Sequence, residues 1–515
     1  RNYPIRSAAS IFRMVMRGKP QMTAFWPDGT PGPDIEYGDN PAVVSTDATG
    51  YDRDTWYVLN SNLKLNVNIP WVKGLSFTGN AAVDKGFRMH KRFETPWYLY
   101  SWDGQSYGPD GLPVLEKGKK GFDDPRLSQE TEFNQGILLN ARLDYEKTLA
   151  SVHNLRFMVG TERRSGNADK FNAYRRFFIS TAVDQMFAGG DAQQNNGGTA
   201  SQSARLNYFG RVNYNYAEKY LVEFVGRYDG SYIFPQSKRF GFFPGVSAGW
   251  RISEEAFWKN NITFIDNFKL RASWGQTGND RLELNGVVQE WQYLASYLFG
   301  TPAFTNGNTL NYSPFITNFT QENKTMYEGR IPNPNITWEV ANQSNIGFEA
   351  QLLNGKLSVE ADYFYNKRSQ ILWPRNASVP RSAGLTLPPE NIGKVANQGF
   401  ELSVGYNNTA GKFAYQVGVN GGYAKNKILF WDEAPGVPEW QRSTGHPMNT
   451  NLYYNAVGVF RDQAQVDATE AKWPNARPGD LIFEDVNQDG KIDADDRVRN
   501  DYNNIPRFTG GVTLN

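Results

Sequence analysis

Twelve consecutive residues carry the most specific chemistry in this sequence: Asp485-Val486-Asn487-Gln488-Asp489-Gly490-Lys491-Ile492-Asp493-Ala494-Asp495-Asp496. Oxygen-bearing side chains stand at the first, third and fifth positions (Asp485, Asn487, Asp489), and Gly490 at the sixth permits a sharp turn. Lys491 at the seventh offers its backbone carbonyl, and Asp493 and Asp496 hold the ninth and twelfth. That order suits a hard cation, Ca2+ with Mg2+ as the alternative, which takes several oxygens from one loop. The twelfth position is Asp rather than the longer Glu, and no helix pair is expected on either side. A solvated acidic turn capped by its own Asx side chains explains the same residues without an ion. With an ion bound, the expected role is to stiffen a loop.

The remaining reactive side chains are plentiful but dispersed. Arg211, Glu223, Arg227, Lys269, Arg271, Glu349, Glu360 and Asp362 supply bases and carboxylates from separate segments. Such scatter predicts a salt-bridged polar wall in preference to a catalytic pair. Three histidines, His90, His153 and His446, lie far apart and leave little for a metal site or a triad. Aromatic residues gather in polar stretches: Trp97, Tyr98, Tyr100, Trp102, Trp291, Tyr293, Tyr297, Tyr312 and Tyr327. They could stack on sugar rings or on a partner, and packing within long loops is the favoured expectation.

The elements that position these residues are read from a period of two. From Leu206 to Tyr216, Leu206, Tyr208, Val212, Tyr214 and Tyr216 alternate with Asn207, Arg211, Asn213 and Asn215. A strand sends neighbouring side chains to opposite faces, so this segment has one apolar and one polar face. The same alternation follows at Tyr220–Tyr228 and Phe242–Ile252, and again around Leu63, Leu75, Leu139, Leu155 and Phe268. It continues at Ile346, Leu357, Phe400, Phe413 and Phe508, about thirteen strands in all. Asn354-Gly355 between two of them is a hairpin signal. Short links after Ile69, Tyr145, Tyr216, Leu352 and Asn407 alternate with long polar stretches. A soluble sheet with one wet face could show the alternation, but it has no reason to keep its long loops at one end. Tight turns at one end and long loops at the other, on strands near ~10 residues with Tyr and Trp at their ends, predict a transmembrane antiparallel β-barrel. Phe12, Met14 and Met16 are read as one further strand.

Composition agrees and excludes other classes. The chain has 515 residues and a net charge of +1, without the basic excess of a nucleic-acid binder. Mean hydropathy is −0.60 and no apolar run approaches the ~18 residues of a membrane helix. There is no cysteine, which removes disulfide scaffolds, iron–sulfur clusters and thiolate zinc sites. Arg1-Asn2-Tyr3-Pro4 shows no signal-peptide pattern, so a mature chain or a fragment is expected.

Several segments, in order, resemble the SusC/RagA group of TonB-dependent outer-membrane transporters of Bacteroidetes. They are Tyr208-Phe209-Gly210-Arg211-Val212-Asn213-Tyr214, Arg227-Tyr228-Asp229-Gly230-Ser231, Phe243-Pro244 with Gly249-Trp250-Arg251-Ile252, and Leu270-Arg271-Ala272-Ser273-Trp274-Gly275-Gln276-Thr277-Gly278-Asn279. Thr337-Trp338-Glu339, Asn397-Gln398-Gly399-Phe400-Glu401 and Pro478-Gly479-Asp480 leading into the Asp485 loop complete the set. The resemblance implies part of a 22-stranded barrel with an N-terminal plug, in the outer membrane of a Gram-negative bacterium. It also implies TonB as the energy source, reached through the plug, and a SusD-like surface lipoprotein that helps capture glycans or peptides. Bilayer lipid and lipopolysaccharide would surround it.

The expected organisation is an irregular segment over 1–59 that leads into the barrel, barrel strands with extracellular loops over 60–426, a long extracellular loop with the calcium-type motif over 427–506, and a last barrel strand over 507–515, cut short. The plug is expected outside this chain. The expected function is active import of glycans or peptides; a passive porin-like or surface-binding barrel is the alternative. No catalytic residues are expected, and the substrate-binding residues are not legible.

Overall fold

The computed structural model describes residues 2–3, 7–19, 21–35, 39–284, 286–299, 315–318, 321–323, 326–375 and 387–515. Each of the thirteen alternating segments is a strand of one antiparallel sheet. They are β1 Gly50–Asn68, β2 Leu75–Glu94, β3 Arg126–Leu149, β4 His153–Arg176, β5 Asn195–Tyr216, β6 Tyr220–Ser231 and β7 Phe240–Arg251. They continue as β8 Ile265–Asn279, β9 Glu339–Leu352, β10 Leu357–Trp373, β11 Glu390–Ala410, β12 Phe413–Phe430 and β13 Phe508–Leu514. Each pairs with its neighbours in chain order, and a two-residue strand, Asn2–Tyr3, adds to the free side of β1.

The expected transmembrane β-barrel, part of a 22-stranded one, is corrected here: the sheet is open. A barrel requires its first and last strands to share a ladder. Among the described residues β13 pairs with β12 alone, and the opposite edge ends at Asn2–Tyr3 on β1. Period-two patterning fixes which side chains share a face, and that holds equally for an open and a closed sheet.

The links at one end are tight. β5 and β6 are joined through Ala217 and Glu218, both at positive φ (50° and 59°), the twist that two-strand hairpins favour. The β9–β10 link places Leu353 and Asn354 at φ 59° and Gly355 at 75°. At the other end β3, β4 and β5 run 22 to 24 residues, well beyond their apolar alternation. The polar stretches around Glu132 and Arg163 are therefore strand extensions rather than loops. Polar residues occupy both faces of an extension, so no alternation marks it.

The chain divides into two compact units: residues 1–65, 79–140 and 162–204, and residues 66–78, 141–161 and 205–515. In the first, Phe12, Met14 and Met16 lie on a helix, α1 (Ala8–Arg17), rather than a strand. Ser7 caps it by accepting a hydrogen bond from the Ser10 amide. Buried Met14 packs with Val43 and Val44 of α2 (Pro41–Val44) and with Trp97 and Leu99 of a hairpin, Trp97–Tyr107 with Pro113–Lys120. A second cluster joins Phe93, Leu127 and Phe178.

In the second unit the core gathers Ile233, Phe234, Phe243, Leu282, Ile336, Trp338 and Leu372. Across its sheet the apolar faces stay open to the surroundings: Phe242 is 61 % exposed, Ile346 60 % and Val512 69 %. A helix α3 (Ala256–Asn261) lies in the link between β7 and β8. Residues between β12 and β13 fold as two short ladders, Leu452–Tyr453 with Val498–Arg499 and Ala456–Val459 with Leu481–Phe483, plus a helix α4 (Gln463–Ala468).

Candidate functional site

The polar face of the second unit is built by register. Lys269 of β8 stands opposite Glu349 of β9, which stands opposite Glu360 of β10. One step along, Arg271, Gly347 and Asp362 form the parallel row. Lys269 Nζ lies 3.5 Å from Glu349 Oε1, and Arg271 Nε lies 3.2 Å from the same oxygen. Arg271 Nη2 passes over β9 to Asp362 Oδ2 at 2.6 Å and also pairs with Glu360. Gly347 makes that reach possible: a Cβ there would stand 2.4 Å from Asp362 Oδ1. One cation thus serves three carboxylates on two strands.

Next to this network lies a cleft of about 760 Å³. Its charged lining is Glu146, Arg156, Arg211, Glu223, Lys269 and Arg271, set among Asn154, Asn213 and Asn345. Arg156 pairs with Glu146 at 2.8 Å, Arg211 Nε lies 3.6 Å from Glu223 Oε2, and Asn213 donates to Glu223. Arg227 bonds Asp229 on its own strand at 2.9 Å. A second cleft of about 590 Å³ continues over Gln276, Gln343, Asn366, Asn397 and Glu401. Exposed ion pairs of this kind add little stability each. What they provide is a wettable surface dense in donors and acceptors, with both charges represented.

In the first unit a comparable row runs across four neighbouring strands. Arg88 of β2 bonds Asp54 of β1 at 2.8 Å and lies 3.4 Å from Glu130 of β3; Lys170 of β4 lies 2.7 Å from Glu130. Sign alternates strand by strand, so unlike charges face each other across neighbouring strands.

The Asp485–Asp496 loop is folded onto its own amides. Asp485 accepts from the Asp489 and Gly490 amides at 3.2 and 2.9 Å, and Asn487 Oδ1 accepts from Asp489 at 3.1 Å. Asp489 Oδ1 accepts from the Lys491 amide at 2.9 Å, and Asp493 Oδ1 from the Asp495 amide at 2.8 Å. Asp496 is fully buried and takes the Val486 and Asp493 amides at 2.9 and 2.8 Å. Gly490 sits at φ 82°, the conformation the sixth position requires. Among the described residues no group of three or more histidines and carboxylates gathers closely enough to hold a metal.

The match to a family of known proteins covers nearly the whole chain: residues 15–515 fit the model for "TonB dependent receptor-like, beta-barrel". The chain belongs to this family. It is 31 % identical over 302 residues to "TonB-dependent receptor P26" of Formosa agariphila, covering 56 % of this chain and 28 % of that protein. It is 26 % identical over 376 residues to "TonB-dependent receptor SusC" of Bacteroides thetaiotaomicron, covering 71 % of this chain and 35 % of that protein. In fold it is similar to the RagAB peptide importer in the closed-closed state, with a TM-score of 0.66 at 19 % identity over 90 % of this chain and 46 % of that one. The chain therefore spans about a third of the curated relatives and under half of the solved neighbour.

Membership places this TonB-dependent receptor chain in the outer membrane of a Gram-negative bacterium, among receptors rather than among enzymes. Within this receptor chain the loop aromatics mostly pack. Trp97 is buried beside Leu99, Trp102 meets Tyr107 edge-on, Trp291 meets Tyr232 edge-on and Tyr293 covers the second unit's core. Tyr98 stacks beneath Lys117, and the backbone carbonyl of Tyr100 accepts from the Trp26 indole. Tyr297 is 58 % exposed. Tyr312 lies outside the described residues, as does the side chain of Tyr327. Sequence reading overlooked Asp54, Arg88, Glu130 and Lys170, whose strand extensions carry no apolar alternation. It also overlooked Gly347, whose signal was present: a glycine between Ile346 and Phe348 in an otherwise full alternation.

Proposed function

We propose that this chain forms part of the wall of an active importer that takes glycans or peptides across the outer membrane. A SusD-like surface lipoprotein captures the ligand with it, and TonB supplies the energy. The observation that carries the reading is the family match over residues 15–515. The polar clefts support it: side-chain amides and paired charges can exchange hydrogen bonds with a hydrated ligand one at a time. In this reading the long-connection end meets the ligand. The import test is an affinity pull-down of the full-length protein from its own outer membrane. Recovery of a SusD-like lipoprotein with bound glycan or peptide is expected, and repeated recovery of the protein with neither contradicts the reading.

We also propose that the loop over 485–496 takes Ca2+, or Mg2+ in its place, once its carboxylates turn from the amides that now hold them apart. Asp485, Asn487, Asp489, Asp493, Asp496 and the Lys491 carbonyl would hold the ion. Support comes from the order of oxygen donors and from the positive φ of Gly490. The bound ion would stiffen the segment over 427–506, which under the importer reading is an outer loop.

A further inference from the structure

Six connections join successive strands at one end of the sheet, five of them tight turns and one carrying α3, and each has a lysine in the link or within three residues of it: Lys73, Lys147, Lys219, Lys259, Lys356 and Lys412. Two of these are neutralised, Lys219 by Glu255 at 3.1 Å and Lys259 by Glu254 at 2.6 Å. Among the described residues the other four have no ion-pair partner, although some acids lie at the same end of the sheet. Those acids are already engaged: Glu146 with Arg156, Glu218 with Arg251, and Asp266 with the Gly355 amide. All of these groups belong to the second unit.

Each of the four unpaired lysines has an exposed apolar neighbour in its own turn. Trp71 beside Lys73 is 82 % exposed, Phe413 beside Lys412 68 %, Leu353 near Lys356 49 % and Leu149 near Lys147 43 %. Rings at the same end form a continuous file, Tyr216 to Tyr220 at 6.3 Å and Tyr220 to Trp250 at 6.4 Å. An apolar group beside a long-stemmed cation is the pairing that settles at a bilayer's headgroup level, the stem in hydrocarbon and the ammonium in the phosphate layer.

We propose that this end of the sheet is a docking surface for anionic phospholipid, with Lys73, Lys147, Lys356 and Lys412 each available to a headgroup phosphate. Charge complementarity selects the occupant: Glu146, Glu218, Glu254 and Glu255 are paired with local bases, Asp266 alone keeps its charge against an amide, and the four cations left over outnumber it and face the surroundings. The proposal rests on the outer-membrane placement, in which short turns face the phospholipid leaflet. A basic residue near an anionic lipid surface gains about fivefold in affinity for it at physiological ionic strength.

The test reconstitutes the full-length protein in nanodiscs of phosphatidylcholine mixed with phosphatidylglycerol and counts retained lipids by native mass spectrometry. The wild type, the fourfold Lys→Gln variant and the fourfold Lys→Arg variant at positions 73, 147, 356 and 412 are compared. Enrichment of phosphatidylglycerol in the wild type and the Arg variant, lost in the Gln variant and in high salt, is expected. Equal enrichment in all three, none in the wild type, or loss in the Arg and Gln variants alike overturns the proposal. Failure of the wild type to enter discs of phosphatidylcholine alone contradicts the membrane placement itself, which separates the two failures.

Discussion

Arg271 reaches across Gly347 to Asp362. The two charged residues sit on strands that are not neighbours, and the guanidinium Nη2 meets the carboxylate at 2.6 Å because the residue between them has no side chain. Gly347→Ala would put a methyl group 2.4 Å from Asp362 Oδ1 and 2.6 Å from the Ala361 carbonyl. Overpacking of this kind costs about 1–3 kcal/mol. The expected result is a lower unfolding midpoint in denaturant for the reconstituted protein. The loss should shrink when Asp362→Ala is already present, since the side chain that is struck has gone.

Asp103 offers a pH-dependent contact outside the main sheet. Hydrogen bonds from the Ser106 hydroxyl, then from the Ser106 and Gln105 amides, hold its carboxyl down to about 2, against an ordinary value near 3.8. A folded value below the unfolded one means that the contact is complete above about 3.8 and is lost as pH falls towards about 2. Trp102, whose indole donates to the Ser106 carbonyl at 2.8 Å, reports on it. Site-selective tryptophan fluorescence should shift across that window in the wild type, and Asp103→Ala should remove the shift.

Calcium titration by calorimetry tests the loop over 485–496. Binding heat with the wild type and none with Asp489→Ala is the expected pair of results, because Asp489 supplies the fifth-position oxygen. No heat with the wild type, or the same heat with the variant, would refute calcium at this loop.

Trp338 anchors the second unit's core between Phe234 and Phe243, at ring-centroid distances of 5.0 and 5.3 Å. Trp338→Ala should cost about 3–5 kcal/mol. Protease cleavage between β8 and β9 should rise, since Trp338 immediately precedes β9 and holds that connection to the sheet.

Much of the sheet was legible because half-buried strands must alternate. Leu206 to Tyr216 and its counterparts each became a strand in the expected order. Closure was not legible, since alternation is indifferent to what pairs with Phe508–Leu514. Strand length was underestimated where Glu130 and Lys170 extend β3 and β4 with polar residues on both faces. At Phe12, Met14 and Met16 the spacing of two competed with Ile11, Met14 and Val15 at helical spacing, and burial of Met14 against α2 decided for the helix. Of the polar wall, sequence supplied the charged residues; which cation meets which carboxylate depends on a three-strand register that no single segment contains.

The central claim, energy-coupled import, is tested most directly by uptake in cells of the source bacterium. Fluorescently labelled oligosaccharides and peptides are supplied as probes to cells with and without TonB, and to cells lacking the full-length gene. Uptake of at least one probe class that needs both the gene and TonB is the predicted result. Uptake that needs the gene but continues unchanged without TonB would contradict the account and indicate a passive path.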